Sequence, residues 1–166
     1  MDNIDKLIRT LNDPNSASRD HAAEELGKSG DARAVDSLLF ALDDIDWRLR
    51  MNAAWALGEI GDPRAGDKLL ALLDDGVGDV QQSVRHALVR LNDRRVVPRL
   101  ISELFSSQEW VRYESAVLLG RLGDERALPE LERLAENHVR VRSDIDVRKA
   151  AQEAAYLIRQ RSRSVE

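Results

Sequence analysis

Aliphatic residues recur along the chain at a spacing of 31 with no gap through four units. Leu7, Leu38, Leu69, Leu100 and Leu131 form one column. Ile4, Val35, Gly66, Val97 and Leu128 form a second, and Leu11, Leu42, Leu73, Leu104 and Ala135 a third. Within a unit these columns stand at i, i+3 and i+7, which is one face of a helix. The second half of each unit has its own columns, Leu26, Leu57, Leu88 and Leu119 with Ala22, Ala53, Val84 and Ser115, so a second amphipathic helix follows the first. A fixed period of this length marks a repeat architecture.

Gly30, Gly61, Asn92 and Gly123 separate the units, and each is followed by an aspartate, Asp31, Asp62, Asp93 or Asp124. Gly and Asn best tolerate the left-handed conformation that ends a helix, and Asp caps the one that follows. The pattern predicts about ten helices, with second helices near residues 16–28, 46–59, 78–91, 109–121 and 146–160. The repeats run approximately over 1–30, 31–61, 62–92, 93–123 and 124–161, in one domain, with a polar tail at 162–166. The last pair is irregular: matching Val147-Arg148 to Val111-Arg112 needs a spacing of 36, so five extra residues lie between Ala135 and Val147. A single pair cannot bury both its apolar faces, whereas stacked pairs make a continuous core.

Composition agrees with helices: of 166 residues, 43% are hydrophobic but only 4% aromatic, which argues against a β-sandwich. There is no cysteine, hence no disulfide framework and no thiol chemistry, and the expected compartment is the cytoplasm. No apolar run approaches the roughly 20 residues that span a bilayer, and the first residues lack the basic and apolar regions of a signal peptide. Charge is uneven: residues 1–136 hold 18 Lys+Arg against 26 Asp+Glu, and residues 137–166 hold seven against four. An acidic body disfavours nucleic-acid binding, in which phosphate neutralisation supplies most of the affinity, and leaves only the basic end as a candidate.

The segments Leu49-Arg-Met-Asn-Ala-Ala-Trp-Ala-Leu-Gly-Glu-Ile-Gly-Asp-Pro-Arg-Ala65 and Val111-Arg-Tyr-Glu-Ser-Ala-Val-Leu-Leu-Gly-Arg-Leu-Gly-Asp-Glu-Arg-Ala127 resemble the short HEAT-like repeats of the phycobilisome-lyase type. The resemblance extends over nearly the whole chain. It implies an all-α, right-handed α-solenoid of about five HEAT-like helix pairs, with partner binding on the concave face lined by the second helices. It also permits a subunit of a bilin lyase or a related chaperone, although without cysteine any covalent chemistry would belong to the substrate protein. Deoxyhypusine hydroxylase, an enzyme of similar repeats, holds a di-iron centre with His-Glu dipeptides, and this sequence has none.

Other chemical signals have structural readings. Gly27-Lys28-Ser29 ends like a phosphate-binding loop, but Ala22 stands where the loop needs Gly, and a helix ends there instead of starting. Asp43-Asp44-Ile45-Asp46 and Asp74-Asp75-Gly76-Val77-Gly78-Asp79 precede second helices and lack the calcium-loop pattern, so capping is the expected role. His21, His86 and His138 share no repeat column, and no metal or other cofactor is expected. Arg19, Arg50, Arg112 and Arg148 form a column broken only by Gln81. It is either an anion track or, as we expect, a ladder of arginines reaching the carboxylates and carbonyls of neighbouring turns.

The aromatic residues carry the candidate site. On a wheel advancing about 100° per residue from Leu49, the core residues span about 100°, whereas Trp47, Met51 and Trp55 fall near 160°, 200° and 240°. Tyr113 and Val117 take the same face of the fourth second helix, with Trp110 at its edge. His86, Arg90 and Arg121 are polar neighbours, and Asp20, Glu24, Lys28, Lys149 and Glu153 make the outer repeats polar. Trp, Tyr, Met and Arg together are the composition of an interaction hot spot; the alternative is that neighbouring helices cover these side chains. The sequence therefore predicts a non-enzymatic protein-interaction scaffold, with a protein partner, or a second copy of the chain, on Trp47, Met51, Trp55, His86, Arg90, Trp110, Tyr113, Val117 and Arg121. The segment around His138, Arg140 and Arg142 is a longer loop that could touch an acidic partner or merely connect helices.

Overall fold

The computed structural model describes residues 2–15, 17–136 and 145–163. Among them ten α-helices alternate as first and second members of pairs: α1 (Asn3–Asn12), α2 (Arg19–Ser29), α3 (Val35–Ala41), α4 (Trp47–Ile60), α5 (Gly66–Ala71), α6 (Gly78–Arg90), α7 (Val97–Glu103), α8 (Glu109–Leu122), α9 (Leu128–Glu136) and α10 (Ile145–Arg163). No strand occurs among the described residues. Helix α2 begins at Arg19 instead of near residue 16, after a turn in which the Asp13 carboxylate accepts from the Asn15 N–H at 2.9 Å. Helix α10 continues to Arg163, into the segment expected as tail. The His138 and Arg140–Arg142 segment lies outside the described residues.

The packing divides into two compact units, Met1–Asp93 and Arg94–Glu166. In each, the sequence columns are the core: Leu38, Leu69, Leu100 and Leu131 are fully buried, as are Leu26, Leu57, Leu88 and Leu119. Burial of one such side chain contributes about 1.5–3 kcal/mol. The helices therefore owe their stability chiefly to packing, since α3, α5 and α7 are too short to persist alone.

The turns between repeats follow the sequence pattern. Gly30, Gly61 and Gly123 have φ of 66°, 77° and 67°, and Asn92 takes the same left-handed conformation at 53°. The carboxylates of Asp31, Asp62 and Asp124 then accept from the N–H groups of Arg33, Arg64 and Arg126, each opening a short 3₁₀ turn that leads into the next helix. Because a Cβ is strained at positive φ, Gly61→Ala is expected to lose about 1–2 kcal/mol in urea unfolding, whereas Asn92→Gly should cost nothing or stabilise slightly.

One feature of the packing is invisible in the hydrophobic columns. A Cβ placed on Gly27 would lie 2.7 Å from the Ala56 Cα, one on Gly58 2.7 Å from the Ala87 Cα, and one on Gly120 2.9 Å from the Ala154 Cα. These glycines let consecutive second helices approach backbone to backbone, α2 on α4 and α4 on α6 in the first unit, α8 on α10 in the second. Gly27, part of the segment read as a helix terminus, is a contact residue of this kind. The corresponding position in the third repeat is Val89.

Candidate interaction groove on the second-helix face

At Arg19, Arg50 and Arg112 the arginine column is a structural ladder. Arg50 makes a two-pronged pair with Asp75, Nε to Oδ2 at 2.8 Å and Nη2 to Oδ1 at 3.0 Å, while Nη1 donates to the Asp44 carbonyl at 2.8 Å. Arg19 pairs with Asp44 at 2.7 Å, and Arg112 donates to the Ser106 carbonyl at 2.8 Å. Gln81, the exception in the column, donates to the Asp75 carbonyl at 2.6 Å, so the amide reaches the same turn position that the arginines reach. The acidic clusters are the other half of these contacts. Asp46 caps α4 by accepting from the Arg48 N–H, and Asp75 accepts from the Val77 N–H at 2.9 Å. Among the described residues no three His, Asp or Glu side chains gather as metal ligands.

This pairing makes the fold acid-sensitive. The Arg50 guanidinium, assisted by the Val77 amide, holds the Asp75 carboxyl below its ordinary 3.8 against the opposing effect of burial, and Arg126 does the same for Asp124. A depressed carboxylate contributes stability that is complete above the unfolded-state value and disappears as pH falls through the folded-state value. Stability is therefore expected to decline below about pH 4, and Arg50→Met should flatten that decline in acid-titrated urea curves.

The aromatic candidates divide between the two units. In the first, Trp47, Met51 and Trp55 on α4 are half-buried. The Arg48 guanidinium lies 5.0 Å from the Trp47 ring centroid, and the Trp55 ring packs at Gly27 of α2. His86 on α6 is half-buried, and Arg90 pairs with Glu59 at 2.8 Å. In the second unit Trp110 and Tyr113 on α8 stand 48% and 47% exposed, so about half of each large side chain remains in water. Arg121 is exposed at the far end of α8, where its carbonyl accepts from Arg161 at 2.6 Å.

Helices α8 and α10 touch at Gly120 and Ala154. Toward the N-termini of both helices lies an open groove of about 660 Å3. Trp110, Tyr113, Val117, Val147 and Ala150 supply its apolar lining, and Glu109, Asp146, Lys149 and Glu153 its charges. Lys149 and Glu153, which from sequence mark the polar end of the face, thus line the same groove as Trp110 and Tyr113. Sequence reasoning missed the groove residues Glu109, Val147 and Ala150, and also Asp146. At the spacing of 36 it occupies the Trp110 column, but the five-residue irregularity ahead of it draws attention to the loop instead.

A repeat of helix pairs with glycine-capped turns and an unfilled groove between second helices defines a class of protein, the helical-repeat scaffold. The chain belongs to the HEAT-repeat family, whose model matches residues 4–89 and 78–155. Among solved structures it is similar to the complex of CpcE and CpcF of phycocyanin lyase from a Nostoc species. That match has a TM-score of 0.75 and 27% identity over 96% of this chain, which spans 66% of the length of that one. It is also similar to an engineered protein (TM-score 0.70, 23% identity, covering 95% of this chain and 80% of the other). A designed armadillo repeat protein in complex with the peptide (KR)4 is likewise similar (TM-score 0.70, 20% identity, covering 93% and 81%). The last two likenesses concern the fold alone. No curated protein sequence matches the chain. No described helix is long and apolar enough to cross a membrane.

Proposed function

We propose that this chain is a non-enzymatic protein-interaction module that holds a segment of a partner protein on its second-helix face, with the α8/α10 groove as its principal site. The observation that carries the reading is the exposure of Trp110 and Tyr113 beside an unfilled groove. Aromatic side chains dominate binding energy when a partner covers them, and a folded monomer rarely leaves two together without use. On this reading Trp110, Tyr113 and Val117 are the anchors. Trp47, Met51 and Trp55 form a second, half-buried patch on α4, with His86 and Arg90 beside it on α6, and Arg121 is a polar contact at the end of α8. The test is a cross-linking pull-down with the wild type beside Trp110→Ala/Tyr113→Ala of unchanged helicity. Specific partners should be lost from the double variant, and their survival would place binding elsewhere.

A second reading is favoured by the likeness to the phycocyanin lyase complex, which extends over nearly all of this chain. The chain would then be one subunit of a chromophore lyase or a related chaperone, with the aromatic groove holding a tetrapyrrole. Incubation with bilin separates the two: a shifted visible absorption band that Tyr113→Ala abolishes would support the lyase reading, and an unchanged spectrum the interaction module.

A further inference from the structure

The charges around the α8/α10 groove differ from the paired carboxylates of the neighbouring first helices. On α7 and α9, Glu103 pairs with Arg99, Glu130 with Arg133, and Glu132 of α9 with Arg159 of α10. The groove's carboxylates, Glu109, Asp146 and Glu153, make no ion pair among the described residues, and neither does Lys149. Three carboxylates against one ammonium leave the groove acidic, and they border an apolar wall in which two aromatic rings stand open.

We propose that this groove takes a partner segment in which a lysine or arginine stands beside an apolar side chain. The proposal rests on the interaction-module reading and specifies the chemistry of the partner. Two forces act together on such a segment. Its aliphatic or aromatic residue covers Trp110, Tyr113 and Val117 and removes apolar area from water. Its cation meets the carboxylates, which make no ion pair among the described residues, and the face of the exposed Tyr113 ring, which attracts cations through its quadrupole. Lysine and arginine suit the site further because their long stems lie on apolar surface while the charged head stays at the rim. A groove of about 660 Å3 accommodates a few side chains. An acidic segment, a nucleic-acid phosphate or a ligand carrying carboxylates would instead bring like charge to the rim.

The test uses the full chain and three fluorescein-labelled peptides of nine residues: alternating Lys and Leu, the same with Gln for Lys, and the same with Glu for Lys. Anisotropy should rank them Lys, Gln, Glu in falling affinity, with the Lys peptide weakened by salt. Replacing two rim charges in Glu109→Gln/Glu153→Gln should weaken the Lys peptide by roughly five- to tenfold and reduce its salt dependence. A charge-matched control at second-unit residues that do not line the groove, Glu125→Gln/Glu132→Gln, should change it by less than about twofold, which separates local recognition from general attraction to an acidic protein. Trp110→Ala/Tyr113→Ala should weaken all peptides by roughly tenfold or more. The inference is overturned if the Lys and Gln peptides bind alike, if groove and control variants weaken binding equally, or if no peptide binds. In each of those cases the cross-linking pull-down still decides the broader reading, because it imposes no partner chemistry.

Discussion

Gly58→Val is expected to cost the fold more than any substitution on its surface. A Cβ at this position would sit 2.7 Å from the Ala87 Cα and 3.0 Å from its Cβ, and the two further methyl groups of valine have no space between α4 and α6. The obstacle is backbone, so no side-chain rotation relieves it, and the helices must separate along their whole contact. Overpacking of this kind costs about 1–3 kcal/mol or more, and we place Gly58→Val at about 3 kcal/mol by the same rule. Gly58→Ala should cost about half as much. Urea unfolding monitored by far-ultraviolet circular dichroism checks both, with Gly76→Ala as a reference, because nothing lies near a Cβ at Gly76 and its φ is not positive. If Gly58→Val unfolds at the wild-type midpoint, the backbone contact of α4 with α6 is not as described.

The second large effect is expected at Arg50. Its guanidinium joins Asp75, whose side chain is only 6% exposed, to the Asp44 and Ile45 carbonyls, tying two successive intra-repeat turns together. In Arg50→Ala the Asp75 carboxylate loses its partner while staying largely out of water, and two carbonyls lose a donor. Removing one member of a buried pair costs about 3–5 kcal/mol, and since Arg50 is partly exposed the expected loss is about 2–3 kcal/mol. Arg50→Ala/Asp75→Ala should recover part of it, because no carboxylate is then left unpaired. A double-mutant cycle in which the losses simply add would refute the pairing. Arg50→Lys should fall between, since an ammonium cannot reproduce the two-pronged geometry.

Both residues show where sequence reading stops. The leucine columns, the glycine or asparagine at each repeat junction and the aspartate after it were all legible, because each meets a local requirement that recurs at fixed spacing. The arginine column was legible as a ladder but not in its partners. Gly58 reads as one of two nearby glycines in a helix that ends at Gly61. Only the neighbouring helix, with Ala87 against it, shows that the first glycine is there for space and the second for its positive φ.

The candidate site was legible in its residue types and less so in its location. Spacing places Trp47, Met51, Trp55, Trp110 and Tyr113 on one face of their helices. It does not say which of them a neighbouring helix covers. Trp55 lies at Gly27 and is half-buried, whereas Trp110 and Tyr113 look onto a groove whose other wall, Asp146 to Glu153, follows the irregular segment.

The paired helices, the capping of their turns and the leucine core follow from residue order, since helical period, backbone preference and burial are all set by residue type at short range. Which glycines carry the helix contacts, which aspartate an arginine such as Arg50 holds, and which aromatic rings stay about half exposed beside the groove's carboxylates follow from the packing of the helices. Those depend on distances between residues about 25 to 40 positions apart, and such distances exist only once the helices have packed.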